Sequence, residues 1–459
     1  MSIFGTLASA ARSLDAQRYG LDVTGQNIAN VNTPGYARRE ALLTTATTAD
    51  QLSAGGGVDI AGLRSVRDAL VERRLFQERP AMQREQVLSE TLAVVESALG
   101  APGSGLDASL TKFFDAFSQL AEDPLSAPAR QQVVLTGQGV SADFRDLVSR
   151  LSLAQKDANN RIRAGVDELN SLATRIASLN VAIGAAGANA GQAASVVDEQ
   201  LAEVHKLAAL IDVEVIARPG GGVDVSFAGG QPLVIGERAY AVTAVPAGPN
   251  GFFDIVSSGT TVTGLVTEGR LGGYVHARDT AIPAYLTDLD TLAYTLATQV
   301  NALHDAGFDR SGADAPVFFT ALGAPAGAAS LLSVNPAVVA DPNLIAAASV
   351  AGAVGNNQQA RAIANLRDAR VLVGGTATLH DGWGNLLYRV GADSTGAKAE
   401  LRTRTEIVRQ VENLRDSVSG VSLDEEAMRM LKFQRAYEAN ARFFRAVDEA
   451  IDVLFTLKR

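Results

Sequence analysis

Both ends of this chain carry the same helical seam, and that feature limits the possible folds more than any other. Near the start, Ile3, Leu7, Ala10, Leu14, Gln17, Leu21, Thr24 and Ile28 alternate steps of four and three. Near the end, Leu423, Ala427, Met430, Gln434, Tyr437, Ala441, Phe444, Asp448, Ile451 and Phe455 follow the same rule. A 3.5-residue repeat keeps one stripe of a helix turned toward a partner helix along its length. Chain ends are normally where order is lost, and a lone helix is marginal in water. The ends are therefore expected to need each other and neighbouring chains, gaining their order on assembly. The candidate assembly residues are Ile3, Leu7, Leu14, Leu21, Ile28, Leu423, Met430, Leu431, Tyr437, Phe444, Ile451 and Leu454.

Local signals bound these helices. Pro34 disfavours helix at Thr33 and Gly35 offers a positive φ, so the first helix stops at Asn30-Val31-Asn32-Thr33-Pro34-Gly35. Ser422 with Glu425 three residues on reads as a capping box opening the last helix. Asp424-Glu425-Glu426 at its start and Lys458-Arg459 at its end complement the macrodipole.

Between the ends the pattern changes twice. Residues 36–59 read as extended chain and turns, and residues 63–99 as helix broken at Pro80. A loop follows, then a short helix with Phe113, Phe114 and Phe117 on a packing face, ended by Asp123-Pro124. A long helix spans about 127–183, a loop 184–191 and a helix 196–211. Short β-type runs then occupy 213–216, 223–227, 232–235, 239–245 and 252–256. Helix returns at 280–305, 355–369 and 399–418, while the Ala/Pro/Gly-rich stretch from 306 to 355 fits no element.

The expected fold is mainly α with an inserted β domain. The terminal helices pair as a coiled coil around a long-helix bundle and a small β-rich outer domain. The expected units are nested: 1–65 with 420–459, 66–211 with 279–305 and 355–419, 212–278 as the β domain, and 306–354 as a variable segment.

Composition removes several functions. The 459 residues include no cysteine, which excludes disulfides, thiolate metal sites and a cysteine nucleophile. Net charge is −10, and the six lysines (Lys112, Lys156, Lys206, Lys398, Lys432 and Lys458) are scattered, so no polybasic tract points to nucleic acid or membrane. The longest apolar run, near 344–354, is about half a membrane span. Arg12 and Asp15 interrupt any signal-peptide core.

No constellation marks an active site. His205, His276, His304 and His380 lack metal-ligand spacing and read as surface or edge residues. Asp305, Asp309 and Asp314 lack EF-hand spacing and read as a solvated loop. Gly55-Gly56-Gly57 and Gly220-Gly221-Gly222 are followed by no lysine and read as turns. Arg38-Arg39 beside Glu40, and Arg73-Arg74 beside Glu72, read as mixed-sign surface. No enzyme activity and no cofactor is expected.

Two stretches carry a resemblance. Leu14-Asp15-Ala16-Gln17-Arg18-Tyr19-Gly20-Leu21-Asp22-Val23-Thr24-Gly25-Gln26-Asn27-Ile28-Ala29-Asn30-Val31-Asn32-Thr33-Pro34-Gly35-Tyr36 resembles the N-terminal signature of bacterial flagellar rod, hook and hook-associated proteins. Val421-Ser422-Leu423-Asp424-Glu425-Glu426, with Phe433-Gln434-Arg435-Ala436-Tyr437-Glu438-Ala439-Asn440-Ala441, resembles their C-terminal signature. The signature positions are Asn27, Ala29, Asn30, Asn32, Thr33, Gly35, Tyr36, Gln434, Ala436, Tyr437, Ala439 and Asn440. Within the group, residues 123–131, the long helix after them, Gly269-Arg270-Leu271-Gly272-Gly273-Tyr274 and residues 278–286 are similar to the hook-associated protein 1 family.

The resemblance implies a structural role at the junction of flagellar hook and filament. It implies a homo-oligomeric ring that meets the hook protein and hook-associated protein 3. It further implies synthesis in the cytoplasm, a cytosolic export chaperone on the C-terminal helix, and secretion as an unfolded chain. Larger members carry a further outer domain, which the short 306–355 stretch leaves reduced or missing here. A hook or rod role is the sibling alternative, and a secreted enzyme or adhesin on an axial frame is the alternative from another class.

Overall fold

The computed structural model describes residues 3–33, 35–46, 57–100, 103, 105–186, 190–219 and 221–456. In chain order the first part holds α1 (Ile3–Ala29), β1 (Arg39–Thr45), β2 (Val58–Ser65), α2 (Ala69–Leu99), α3 (Leu106–Glu122), α4 (Ala127–Ala185) and α5 (Ala190–Leu210). The β region follows: β3 (Val213–Ala217), β4 (Val223–Phe227), β5 (Gln231–Ile235), β6 (Arg238–Ala239), β7 (Val242–Ala247), β8 (Phe252–Ser257) and β9 (Thr260–Thr261). Then come α6 (Gly269–His276), a π-helical turn at Ala277–Ala281, α7 (Ile282–Asp305), α8 (Ala328–Leu331), α9 (Pro336–Ala340), α10 (Gln358–Ala364), α11 (Leu379–Ser419) and α12 (Leu423–Thr456). The architecture is mainly helical with long terminal helices and a small β region.

The 59-residue α4 organises the molecule. At 1.5 Å per residue it is roughly 90 Å long, enough to serve two cores. Its first half, from Val133 to Leu151, lies in a large core with α3, α7 and α11. There Phe113 meets Phe117 edge-on at 5.3 Å, and Phe318 meets Phe319 at 4.9 Å. Its second half, from Ile162 to Ala177, shares another core with α5 and the β strands.

Two antiparallel sheets, in the orders β3-β4-β5-β6 and β7-β8-β9, are fastened to α4 by three asparagines. Asn159 Oδ1 accepts from Phe253 N at 2.8 Å. Asn170 pairs with both backbone groups of Val242 at 2.9 and 2.7 Å. Asn180 does the same at Val223, at 2.8 Å in both directions. Spacings of eleven and ten residues return each asparagine to one face after about three turns.

The stretch 306–355 is a built part of the large core. Phe318, Phe319, Leu332, Val334, Val338, Ile345 and Ala347 are all buried in it. Two fully buried polar side chains help to hold it. Arg130, 1% exposed, donates to the carbonyls of Pro124, Asn343 and Ile345. His304, wholly buried, reaches the Pro316 carbonyl at 2.5 Å through Nδ1 and accepts from Ala346 N at 2.9 Å through Nε2.

Several local expectations are corrected. Pro80 does not break α2, which runs through it; Leu75 and Phe76 before it and Val87 and Leu88 after it are buried and hold both halves in line. Leu63–Ser65 is strand, because β2 pairs there with β1. The helix expected from residue 399 begins at Leu379, behind a Thr378/Asp381 capping box. Gly382, Gly384, Gly391 and Gly396 weaken its local signal, but buried Trp383, Leu386 and Val390 anchor it. Of the four histidines, His304 lies in the core instead of at the surface or an edge, while the other three are half-buried. Asp309 is buried too, its carboxylate accepting from Ser311 N at 2.7 Å and Ala313 N at 3.0 Å within its own turn.

Candidate assembly interface

The terminal helices α1 and α12 pair antiparallel. Gly20 opposes Phe433, and Asn27 opposes Glu426, seven residues on in one helix and seven back in the other. A Cβ on Gly20 would sit 2.5 Å from the Phe433 ring, so this glycine is what lets the backbones approach. The buried line of α1 is Ala10, Ala16, Gly20, Val23, Thr24 and Asn27.

At Asn27 the pair is tied to the rest of the chain. The side chain is 1% exposed, and its amide uses its full capacity. Nδ2 donates to Arg39 O and to Glu426 Oε2, each at 2.9 Å. Oδ1 accepts from Tyr36 Oη and from Arg39 N, each at 2.9 Å. The turn that swings Tyr36 back over α1 passes through Gly35 at φ +79°, a conformation other residues rarely adopt.

Arginines extend the knot outward. Arg39 lies over the Tyr36 ring at 5.1 Å and pairs with Asp198 of α5 at 2.7 Å. Arg67 reaches the same carboxylate at 2.6 Å. Arg38 donates its backbone N to Ser419 O at 2.8 Å and its guanidinium to Glu425 at 2.9 Å. Glu40 takes Arg64 at 3.0 Å and Arg429 at 3.2 Å. Arg38 and Arg39 are thus not mixed-sign surface. Their side chains are only 16% and 10% exposed, because each has a carboxylate from a distant helix to enter against.

A cleft of about 400 Å³ lies where this knot meets the bundle, lined by Tyr36, Arg39, Asp198, His205 and Arg415 among others. His205 and Glu72 meet there at 3.0 Å. Burial pushes the His205 imidazole below its usual range. Burial alone would raise Glu72, but the His205 hydrogen bond and the nearby arginines hold its carboxyl below the usual range. Burial raises the Tyr36 phenol. Among the described residues no group of three or more His, Cys, Asp or Glu could hold a metal ion. Among the described residues no helix is long and apolar enough to cross a membrane.

The candidate assembly residues whose side chains are described fall into two sets. Leu7, Leu14, Leu21 and Ile28 flank the buried line of α1 and are half-buried. On α12, Met430 and Phe444 are half-buried and Ile451 is buried, within the pair. Leu423, Leu431 and Tyr437 are exposed. The backbone of Ile3 and Leu454 is helical, and their side chains lie outside the described residues.

Of the signature positions, Asn27 and Tyr36 form the knot. Asn30 donates to Gln26 O and accepts from Thr33 Oγ1. Ala436 and Asn440 are half-buried, while Ala29, Asn32, Gln434 and Ala439 are exposed.

Sequence reasoning missed Phe433, Val447, Arg39, Arg67, Asp198 and the partner role of Glu426. A signal for three of them was present. Glu426, Met430, Phe433, Tyr437, Asn440, Phe444, Val447 and Ile451 also alternate steps of four and three. That stripe, turned one residue from the first reading, carries the buried Glu426, Val447 and Ile451.

The same interface residues lie in stretches with known relatives. Residues 7–36 match the family model described as flagella basal body rod protein, and residues 415–457 match the flagellar basal body rod FlgEFG protein C-terminal model. Residues 92–319 match the flagellar hook-associated protein FlgK helical domain. Flagellar hook-associated protein 1 of Bacillus subtilis (strain 168) is 27% identical over 98% of this chain and 97% of that protein. Its Escherichia coli (strain K12) namesake is 25% identical over 98% of this chain and 99% of that protein. That second alignment runs over 544 positions against 459 residues here, so the E. coli protein has at least 85 residues without a counterpart. A solved structure titled as the flagellar hook junction protein FlgK from Burkholderia pseudomallei superposes with a TM-score of 0.69. It covers 75% of this chain and all of the solved one at 16% identity, a likeness of fold.

Proposed function

We infer the role of this chain from its kinship: it belongs to the flagellar hook-associated protein 1 family and is a structural component of the flagellar hook–filament junction. One observation carries the reading. The two end segments that match axial rod models pair with each other, and the middle matches the hook-associated helical domain. The middle favours a hook-associated protein over a hook or rod protein.

The finer picture is our proposal. Copies form a ring through the terminal helices, with hook protein on one side and hook-associated protein 3 on the other. Residues 1–65 with 420–459 form the inner unit, and 66–211 with 279–305 and 355–419 the surrounding bundle. The β unit 212–278 faces outward, and 306–354 closes one end of the bundle. The chain leaves the cytoplasm unfolded, with an export chaperone on α12. Its freedom from cysteine suits such transit, because an unfolded chain cannot cross-link on the way.

Deletion of the gene tests the junction role. Cells should build hooks without filaments and shed flagellin into the medium. Filaments of normal length and number in the deletion strain would refute it.

A further inference from the structure

The four-stranded sheet of the β region ends in an open edge. Among the described residues β3 pairs with β4 on one side and with no strand on the other. Arg218 N donates to Gly222 O at 3.1 Å, a hydrogen-bonded pair at the mouth of this hairpin. Bonded pairs alternate along an antiparallel ladder, and the β3–β4 register runs without a bulge. Glu214 and Ile216 therefore bond toward β4, while Val213, Val215 and Ala217 turn their backbone N–H and C=O outward. Native edges are commonly guarded by proline, lysine or a bulge. The run Val-Glu-Val-Ile-Ala of β3 has none of the three.

The side chains of β3 divide by face. Val213 and Val215 point, with buried Val225 and Phe227 of β4, toward the core. Glu214, Ile216 and Arg218 share the outer face and are exposed, Ile216 by 56%. Arg218 lies 3.6 Å from Asp224 of its own chain. Beside the strand runs a cleft of about 800 Å³, walled by Arg73, Phe76 and Gln77 of α2, Leu201 and Val204 of α5, and β3 itself.

We propose that β3 pairs antiparallel with β3 of a second copy, about a two-fold axis through Ile216. The order of residues in the strand selects this occupant and this register. Placing Ile216 opposite itself sets Val215 opposite Ala217, so the outward backbone groups meet one another. It also sets Glu214 of each copy opposite Arg218 of the other, and the exposed charges match at both ends. An axis at Val215 would set Glu214 against apolar Ile216, and Arg218 against Asp212, which is half-buried outside the strand. In the favoured register, Val213 and Val215 of the other copy lie on the core side of the joined sheet, where the cleft gives them room. A two-fold contact closes at two copies. It therefore belongs to the folded chain outside a ring, leaves the terminal helices free, and does not depend on the junction reading.

Sedimentation of the full chain tests this. The mass should rise with concentration toward twice 47.8 kDa. Glu214→Arg sets two arginines face to face at each end of the contact, and Arg218→Glu sets two glutamates. Each should weaken dimerisation about tenfold or more, with the unfolding midpoint unchanged. Mixing the two variants should restore dimers, because every arginine then meets a glutamate. A full chain still monomeric at about 0.1 mM overturns the proposal. A dimer that neither change weakens, or a mixture no stronger than its components, overturns it as well.

A second measurement reads the axis. At a non-hydrogen-bonded position the facing Cα atoms stand about 4.5 Å apart, within disulfide reach. The chain has no cysteine of its own. Ile216→Cys should therefore give a disulfide-linked dimer on mild oxidation, whereas Val373→Cys, on a turn where that residue is 76% exposed, should not. Equal yields from the two would mean random collision and refute the axis.

Discussion

Replacing Asn27 by aspartate isolates one half of the buried knot. Asn27→Asp keeps the shape of the side chain and the oxygen that accepts from Tyr36 Oη and Arg39 N. It removes the two bonds donated by Nδ2, one to the Glu426 carboxylate and one to the Arg39 carbonyl. A hydrogen bond to a charged group contributes about 1.5–3 kcal/mol and a neutral one about 1 kcal/mol. The α1–α12 pair should therefore lose about 2.5–4 kcal/mol near neutral pH. At about 1.4 kcal/mol per factor of ten, its opening should become about 60- to 700-fold more frequent. Amide exchange of residues 10–27, or protease cleavage of α12 where cutting tracks the open population, reads this directly.

The pH dependence has a defined sign. Two carboxyls in hydrogen-bond contact cannot both ionise, so the folded variant takes up a proton and the shared group has a raised folded pKa. Its stability is then fullest below the unfolded carboxyl range near 4 and is lost as pH rises. The gap to wild type should shrink toward pH 4 and widen toward pH 7. Protection within threefold of wild type at pH 7, or a gap that grows on acidification, would refute this account of the knot.

Three further outcomes follow from other sites. Burial lowers the His304 pKa to about 4, so its contribution is complete above the unfolded value near 6.5 and is lost as pH falls toward 4; in urea unfolding, the stability gap between wild type and His304→Gln should narrow by roughly 2–3 kcal/mol between pH 7 and 4.5. Leu431→Asp should leave the unfolding midpoint unchanged yet cut incorporation into flagella at least about tenfold, since the residue lies outside the α1–α12 pair. Phe444→Asp should instead unpair α1 from α12, exposing both ends to protease while the central bundle stays resistant.

Much of the architecture was legible in local pattern. The terminal helices, the long α4 and most β strands follow from periodicity, glycine and proline, because each depends on residues close in sequence. The terminal seam was legible only in part. Scoring by apolar size selects Leu7, Leu14 and Leu21, but antiparallel helices in close contact place small residues on the nearest line. Gly20 and Ala16 therefore face α12 while the leucines flank it. Pro80 and the glycines of α11 read as breakers, since their local cost is visible and the buried neighbours that outweigh it are not.

By itself the sequence determined that this is a helix-ended, cysteine-free chain with an inserted β unit and axial-protein signatures at both termini. Its motifs marked Asn27 and Tyr36 without saying what they touch. Only the tertiary structure decided that Asn27 spends its amide on Glu426, some 399 residues away. Likewise, it showed that Arg39 and Arg67 share Asp198, and that His304 and Arg130 hold 306–355 in the core. The physical reason is one of range. Periodicity and turn chemistry act over a few residues, whereas a buried polar group is satisfied by whatever the fold brings to it, and sequence separation carries no record of that partner.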